Sequence, residues 1–250
     1  MTLRCVLATL ATIALAGTGA VAETANVYQA TLAEPNQKTG EVSTEQLRRL
    51  LHDGSAVVLD TRSHAEFAAG HIPGARNLDV APDDRIAAVA RMLDGDKAKA
   101  LVLYCNGPFC QASRRLADQL VGAGFTNVRR YQLGIPVWRA LGGPTAIELD
   151  GIARIVAADK TAVFIDTRAA EDFAKGSLPN AHNAPLADVV SGKLKKLPLP
   201  EDDFNRRIVL FGSDAAQARR FAELLSTRPW HNVAYLPATF EALKAAVMGK

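Results

Sequence analysis

The chain of 250 residues is 48% hydrophobic, which is enough for one large domain or two domains of ordinary size. Its formal net charge of +3 is close to balance, and no basic stretch is long enough to form a nucleic-acid-binding surface. We therefore expect no nucleic-acid partner.

The first 22 residues have the pattern of a secretory signal. Arg4 gives a short positive start, residues 5–16 are apolar, and small residues at 20–22 precede the first acid, Glu23. An uncleaved anchor is the alternative, because residues 5–22 form an uncharged run near the lower length limit of a membrane span. We expect cleavage, a periplasmic or secreted protein, and no stable membrane association after the signal is removed.

Removal of the signal would leave only two cysteines, Cys105 and Cys110, in one loop. Two thiols in an oxidising compartment are too few for a disulfide scaffold, although a local disulfide between them is possible. A loop that binds an anion points its backbone N–H groups inward rather than its side chains. We therefore expect Cys110 to be held away from Cys105, as a small packing residue at the start of a helix.

Beyond the signal, residues 23–40 mix polar, small and Pro residues, which is typical of an N-terminal arm. Helical and strand patterns then alternate, which predicts a parallel sheet covered on both faces. The expected elements are a helix opened by a capping box at 43–46 and running to 51, a strand at 56–60, a helix at 63–69, a turn at 71–75, a helix at 85–93, a strand at 101–104, a helix at 111–123, a strand at 127–131 and a closing segment at 134–141.

The same order of patterns then repeats. Residues 67–77 match 173–183 at a constant offset of 106, and Asp60-Thr61-Arg62 falls on Asp166-Thr167-Arg168 at the same offset. A match at so many positions indicates a duplicated domain. We place the first domain at 41–145 and the second at 146–250.

The strongest functional pattern lies at 101–113. An apolar strand ends at Cys105, a loop with Gly107 and Pro108 follows, and a helical pattern begins near Gln111. A helix N-terminus gathers unpaired N–H groups and the positive end of the helix dipole, which favour an anion and lower the pKa of a cysteine thiol. Cys105 is therefore predicted to be a nucleophile for an anionic substrate. A buried structural cysteine is the alternative.

The second copy lacks this thiol. Cys105 corresponds to Gly212, the loop is shorter by two residues, and Asp214 places an acid where the first copy would hold an anion. We predict that the second copy is catalytically inactive. We expect it to stabilise the protein and to help form a cleft between the domains.

Two stretches resemble the signatures of the rhodanese-like sulfurtransferase family: residues 60–75, and the ending Gly134…Trp138…Gly142-Gly143-Pro144. The resemblance covers nearly the whole chain after the signal and is more specific in the first copy, since the second lacks the Trp-Gly ending. It implies an α/β fold of two tandem rhodanese-like domains, each a central parallel sheet flanked by helices. It also implies a cysteine that carries sulfur as a persulfide. The active copy is usually the C-terminal one in such tandem proteins, so the order here is reversed.

The chemistry expected of Cys105 is attack on the outer sulfur of a small donor such as thiosulfate, after which a thiol, cyanide or a protein thiol removes that sulfur. Backbone N–H groups would hold the anion. The substrate-binding loop is expected to comprise Asn106, Gly107, Pro108, Phe109, Cys110 and Gln111.

Arg114 and Arg62 are candidates for electrostatic support of the anion. The alternative for Arg114 is a solvated helix face, because the pair Arg114-Arg115 recurs as Arg219-Arg220 in the copy without a thiol. The alternative for Arg62, and for Glu66, is a structural ion pair or helix cap.

Three other functions are open. Cys105 and Cys110 could cycle as a thiol–disulfide redox pair, or the chain could be a binding module without turnover. For a persulfide on Cys105, the alternative role of Cys110 is to resolve it and leave a disulfide. A phosphatase is disfavoured because Gln111, and not an arginine, stands six residues after Cys105. The five histidines show no metal-ligand spacing, so we predict no metal site and no cofactor.

Overall fold

The computed structural model describes residues 36–193 and 196–248. The predicted signal at 1–22 and most of the predicted arm lie outside the described residues. Within the part of the chain that is described, no helix has the length and apolar character needed to cross a membrane.

The first half forms a five-stranded parallel sheet in the order β1-β5-β4-β2-β3. Its central strand, β4, is buried at every position, and its side chains alternate between two apolar clusters on opposite faces of the sheet. Both faces are therefore covered, as predicted. The strands are β1 (Gly40–Glu41), β2 (Val57–Asp60), β3 (Arg76–Asn77), β4 (Leu101–Tyr104) and β5 (Val128–Tyr131).

The helices of this half lie where the sequence patterns predict them, with ends that differ by at most two residues. Two of them begin at capping boxes. The Ser43 side chain accepts from the Gln46 backbone N–H, and the Gln46 side chain accepts from the Ser43 backbone N–H. Ser63 and Glu66 form the same reciprocal pair of hydrogen bonds. The helices are α1 (Thr44–His52), α2 (His64–Ala68), α3 (Arg85–Met92), α4 (Gln111–Gly122) and α5 (Gly134–Ala140), with a 3₁₀ turn at Pro82–Asp84.

The second half repeats this architecture, with a parallel sheet in the order β6-β10-β9-β7-β8. The predicted fold, two α/β units in tandem, is thereby confirmed. Its strands are β6 (Thr145–Ala146), β7 (Val163–Asp166), β8 (His182–Asn183), β9 (Ile208–Gly212) and β10 (Val233–Thr239). Its helices are α6 (Leu149–Ala158), α7 (Ala170–Ala174), α8 (Leu186–Val190), α9 (Ala215–Leu225) and α10 (Phe240–Met248).

Each sheet has a two-residue edge strand that the sequence pattern does not predict. Gly40 belongs to β1, although the arm is predicted to extend to residue 40, and Thr145 begins β6 of the second sheet, one residue before the predicted start of the second domain. A two-residue strand is too short to show alternation, so only its pairing with β5 or β10 reveals it.

Backbone hydrogen bonds join the two halves. The N–H of His71 donates to the carbonyl oxygen of Ala146 and the N–H of Ala146 donates to that of His71, both at 2.9 Å. The N–H of Glu148 donates to the carbonyl oxygen of Ala68 at 2.9 Å, and the Arg207 side chain donates to that of Ala69 at 3.0 Å. The turn that follows α2 is therefore fixed by residues of the second half.

Each half also contains one buried arginine–aspartate pair. Arg62 is bound by Asp60 with an Nη2–Oδ2 distance of 2.6 Å, and Arg168 is bound by Asp166 at 2.7 Å. Each guanidinium also donates to the carbonyl oxygen of a following glycine, Gly70 or Gly176. The pair thus ties the end of a strand to the turn after the next helix, in the copy with the thiol and in the copy without it. Arg62 thus forms the ion pair that its structural interpretation describes.

We predict that Asp166→Asn lowers the free energy of unfolding by about 3 to 5 kcal/mol, because it leaves the buried Arg168 without its counter-charge. Urea unfolding measures the change. Asp172→Asn, which removes the exposed partner of Lys175, is the matched control and should have a small effect. Equal stability of the two variants would show that the buried pair does not support the fold.

Candidate active site

Cys105 lies at the carboxyl end of the central strand of the first sheet. The strand register places Tyr104, the residue before it, between Asp60 of β2 and Tyr131 of β5. Cys105 is 4% exposed and therefore sits at the base of its loop, beneath the surface. Ligand sites of open parallel sheets are found at this edge, outside the carboxyl ends of the strands.

Residues distant in sequence hold the cysteine in place. The backbone N–H of Ile135 donates to the Cys105 carbonyl oxygen at 3.2 Å, and the N–H of Thr61 donates to that of Tyr104 at 3.0 Å. Gly134 has a φ of +64°, and a Cβ atom at this position would collide with the backbone of Cys105 and Gly107. The chain therefore approaches the cysteine loop closely at a position that favours glycine.

A disulfide bond joins Cys105 to Cys110, with 6.1 Å between their Cα atoms. The expectation that Cys110 is held away from Cys105 is wrong. Gly107, at a φ of +109°, turns the backbone, and the Cys110 N–H donates to the Gly107 carbonyl oxygen at 3.0 Å. This tight turn brings the two side chains together, and it occupies one of the N–H groups that were expected to hold an anion.

The helix that follows the cysteine loop begins at Gln111, as the sequence predicts. Cys110, and not Cys105, is the N-cap residue of α4, and its side chain makes no capping hydrogen bond. The first turn of this helix contains no acid. The dipole effect that sequence reasoning assigns to Cys105 therefore acts most directly on Cys110.

The other residues of the predicted loop differ in exposure and contacts. The Asn106 side chain donates to Glu66 Oε1 at 2.6 Å, and Phe109 is 90% exposed at the tip of the loop. Pro108 is half-buried and Gln111 is exposed. Burial of Glu66 opposes its ionisation, but hydrogen bonds from Ser63 and Asn106 outweigh it and hold the Glu66 pKa below its usual value.

The two arginines proposed for electrostatic support differ. Arg62 is committed to Asp60, so the pair has little net charge with which to attract an anion. Arg114 is partly buried in α4, one turn after the cysteine loop.

Sequence reasoning missed two buried polar side chains, those of Tyr104, the residue before Cys105, and of His71. The Tyr104 hydroxyl accepts from the Ile72 backbone N–H at 3.1 Å, and burial, together with the nearby Asp60 carboxylate, raises the Tyr104 pKa well above its ordinary value. His71 stacks on Phe67 at 3.7 Å between ring centroids and donates through Nδ1 to the Phe67 carbonyl oxygen. Burial lowers the His71 pKa. The only signal available in the sequence was that these polar residues fall within apolar segments.

The family follows from comparison with known proteins. The rhodanese-like domain family matches residues 43–141 and 152–246, which together are more than half of the chain. The chain belongs to the rhodanese-like domain family. Both matches fall within the two halves described above, so the tandem arrangement that the sequence predicts is confirmed.

Relatives of this rhodanese-like chain include the thiosulfate sulfurtransferase GlpE of Pseudomonas putida, which is 37% identical over 99 residues, or 40% of this chain and 84% of that protein. The HTH-type transcriptional regulator Rv0324 of Mycobacterium tuberculosis is 35% identical over 104 residues, or 41% of this chain and 43% of that protein. The crystal structure of a thiosulfate sulfurtransferase from Pseudomonas aeruginosa matches 84% of this chain and 43% of that chain, at 17% identity and a TM-score of 0.38. The similarity to GlpE supports a sulfurtransferase activity in general.

The second rhodanese-like domain has no thiol at the equivalent position. The register pairs Asp166 with Phe211, as it pairs Asp60 with Tyr104, so Gly212 stands where the first domain has Cys105. Asp214 is the N-cap of α9 and accepts from the Gln217 backbone N–H at 2.9 Å. Its carboxylate therefore occupies the helix N-terminus, and the loop to the N-cap is three residues shorter than in the first domain.

A cavity lies between the two rhodanese-like domains and is separate from the cysteine loop. It has a volume of about 700 Å³ and is lined by residues of both halves, among them Arg48, Trp138 and Arg219, while none of residues 105–111 lines it. Arg48 lies over the Trp138 ring at 5.5 Å. A cleft between the domains is therefore present, as expected, but the predicted nucleophile does not face it.

Among the described residues, the side chains of His64, Glu148 and Asp150 bring metal-ligand atoms together where the domains meet. His64 Nε2 lies 3.3 Å from Asp150 Oδ2 and 3.7 Å from Glu148 Oε2, a proximity that the spacing of the histidines along the chain does not reveal. Arg154 already donates to Asp150 Oδ2 at 2.7 Å. Because that carboxylate has a cationic partner, we interpret the cluster as polar contacts of His64 with the second domain.

We predict that Gly134→Ala displaces the cysteine loop, because the added methyl group meets backbone atoms of Cys105 and Gly107 and Gly134 has a positive φ. The variant should lose more than about 1 kcal/mol of unfolding free energy, and dithiothreitol should reduce its disulfide faster. Gly122→Ala is the matched control, since its Cβ meets no atom within 4 Å. If both variants match the parent in urea unfolding and in reduction rate, Gly134 does not position the loop.

Proposed function

We propose that this protein is an exported sulfurtransferase that moves a sulfane sulfur from a small donor to a thiophilic acceptor through a Cys105 persulfide. The observation that carries the proposal is the position of Cys105, which ends the central strand of the rhodanese-like domain with the better match to the signatures. The corresponding position of the other domain holds Gly212, so the chain offers one thiol of this kind.

The reaction starts from the dithiol form, because a cysteine in a disulfide has no thiolate to react. The Cys105 thiolate attacks the outer sulfur of thiosulfate. The sulfur–sulfur bond of thiosulfate breaks, sulfite leaves with the electron pair, and Cys105 carries the sulfane sulfur as Cys–S–S⁻. An acceptor thiol or cyanide then takes this sulfur and regenerates the thiolate.

Backbone dipoles favour an anion at this place. The loop leads into the N-terminus of α4, a helix of 12 residues with no acid in its first turn, and Arg114 follows in the second turn. In the second domain, the Asp214 carboxylate fills the equivalent helix N-terminus. This contrast supports anion binding in the first domain and its loss in the second.

Thiosulfate is the proposed donor because it is a doubly charged anion with an electrophilic outer sulfur. Cyanide, a small thiol or a protein thiol is the proposed acceptor. The proposed location is the periplasm or the exterior of the cell, on the strength of the signal-like pattern at 1–22, and a disulfide is compatible with such a compartment.

A second candidate is thiol–disulfide exchange, which the bond between Cys105 and Cys110 favours. In that function both cysteines are essential and no sulfane sulfur is carried. The two functions therefore differ in what the loss of Cys110 does.

For the sulfurtransferase, we predict that Cys105→Ser reduces sulfur transfer from thiosulfate to cyanide on the order of a thousandfold or more, because a hydroxyl is a far weaker nucleophile at neutral pH. Thiocyanate formation by the reduced protein measures it. Cys110→Ser should retain the transfer. Equal loss in the two variants would favour the redox function instead.

The second domain supplies a further control. Gly212→Cys in the Cys105→Ser background should not restore turnover, because a side chain at residue 212 collides with Gln217 and Thr167 and because Asp214 repels an anion. Measurable thiocyanate formation by this double variant would contradict the assignment of the chemistry to the first domain.

A further inference from the structure

We propose that Cys110 resolves the Cys105 persulfide, so that the protein releases the transferred sulfur as sulfide and ends its turnover in the Cys105–Cys110 disulfide. This inference rests on the proposed function, because it needs the persulfide to form. It adds an activity to that function, the reductive release of sulfide without a separate sulfur acceptor.

The first support is reach. Resolution requires the Cys110 sulfur to attack Sγ of Cys105, and the bond that this attack would form is the bond present in the structure. The Cα separation of 6.1 Å lies within the ordinary range for disulfides. The turn closed by the Cys110 N–H and the Gly107 carbonyl oxygen holds the two residues at this separation.

The second support is the state of the attacking thiol. Cys110 is the N-cap of the 12-residue helix α4, where the helix dipole and the free N–H groups of the first turn favour a thiolate over a thiol. Thiol–disulfide exchange proceeds by thiolate attack on a sulfur atom, and a persulfide offers such a sulfur. Cys110 is therefore placed both to reach the persulfide and to attack it.

The step balances in atoms and electrons. The Cys110 sulfur forms a bond to Sγ of Cys105, and the bond between Sγ and the sulfane sulfur breaks. The sulfane sulfur leaves with the bonding electron pair and takes up from solvent the proton that the Cys110 thiol released on ionising, so that it departs as hydrosulfide. The two cysteines lose two electrons in total, and the sulfane sulfur gains them.

A dithiol reductant must then restore the two thiols, and the exposure of the loop indicates where it attacks. Cys105 is 4% exposed, whereas Cys110 is half-buried and follows Phe109, which is 90% exposed. Attack at the Cys110 sulfur releases Cys105 as the thiolate. The first thiol to be freed is therefore the nucleophile of the next turnover.

A single-turnover experiment tests the proposal on the full chain carrying Cys5→Ser, which leaves the two loop cysteines as the only thiols. The protein is reduced, freed of reductant and mixed with thiosulfate without an acceptor. We expect one equivalent of sulfite, one equivalent of sulfide, and the loss of both thiols to the disulfide. The Cys110→Ser variant should release sulfite but no sulfide and should retain its persulfide. The Cys105→Ser variant should release neither product.

The outcomes separate the inference from the function beneath it. If the parent retains a persulfide and releases no sulfide, as Cys110→Ser is expected to do, Cys110 is not a resolving cysteine, while the sulfurtransferase function stands. If Cys110→Ser releases neither sulfite nor sulfide, no persulfide forms on Cys105, and both the function and the inference are overturned.

Discussion

The position of Cys105 depends on the parallel pairing of β4 between β2 and β5. That pairing places Tyr104 beside Asp60 and Tyr131, so the next residue must leave the sheet at its carboxyl edge. The Ile135 N–H then fixes the Cys105 carbonyl oxygen, and Gly134 allows the chain to pass close to the loop. The thiol is thus located by backbone contacts, and these do not depend on the chemistry of its own side chain.

The duplicated domain separates what the fold needs from what the chemistry needs. The buried pairs Asp60–Arg62 and Asp166–Arg168 have nearly the same geometry, although only the first domain carries a thiol. A feature present in both copies supports the shared fold. Two features differ between the domains. The first domain has Cys105 where the second has Gly212, and the N-terminus of α4 has no side-chain cap whereas that of α9 is capped by Asp214. The proposed chemistry is assigned to these two features.

Local patterns in the sequence predict the longer strands, the capping box at 43–46, the duplication and the loop that carries Cys105. They do not predict contacts between distant segments. The disulfide depends on a positive φ at Gly107, and the edge strand β6 is visible only through its pairing with β10. The helix begins at Gln111, as the pattern predicts, but its dipole acts most directly on the N-cap residue Cys110 and not on Cys105. Side-chain direction in a loop is set by its backbone angles, which a residue pattern does not specify.

The central claim is that Cys105 carries the transferred sulfur. It is tested most directly with thiosulfate that has a heavy isotope in its outer sulfur, added to the reduced Cys110→Ser protein, followed by mass spectrometry of the intact chain and of its peptides. The account predicts a gain of one labelled sulfur atom, located on Cys105 and removed by a thiol reductant. An intact chain of unchanged mass, or a label on any other residue, would contradict it.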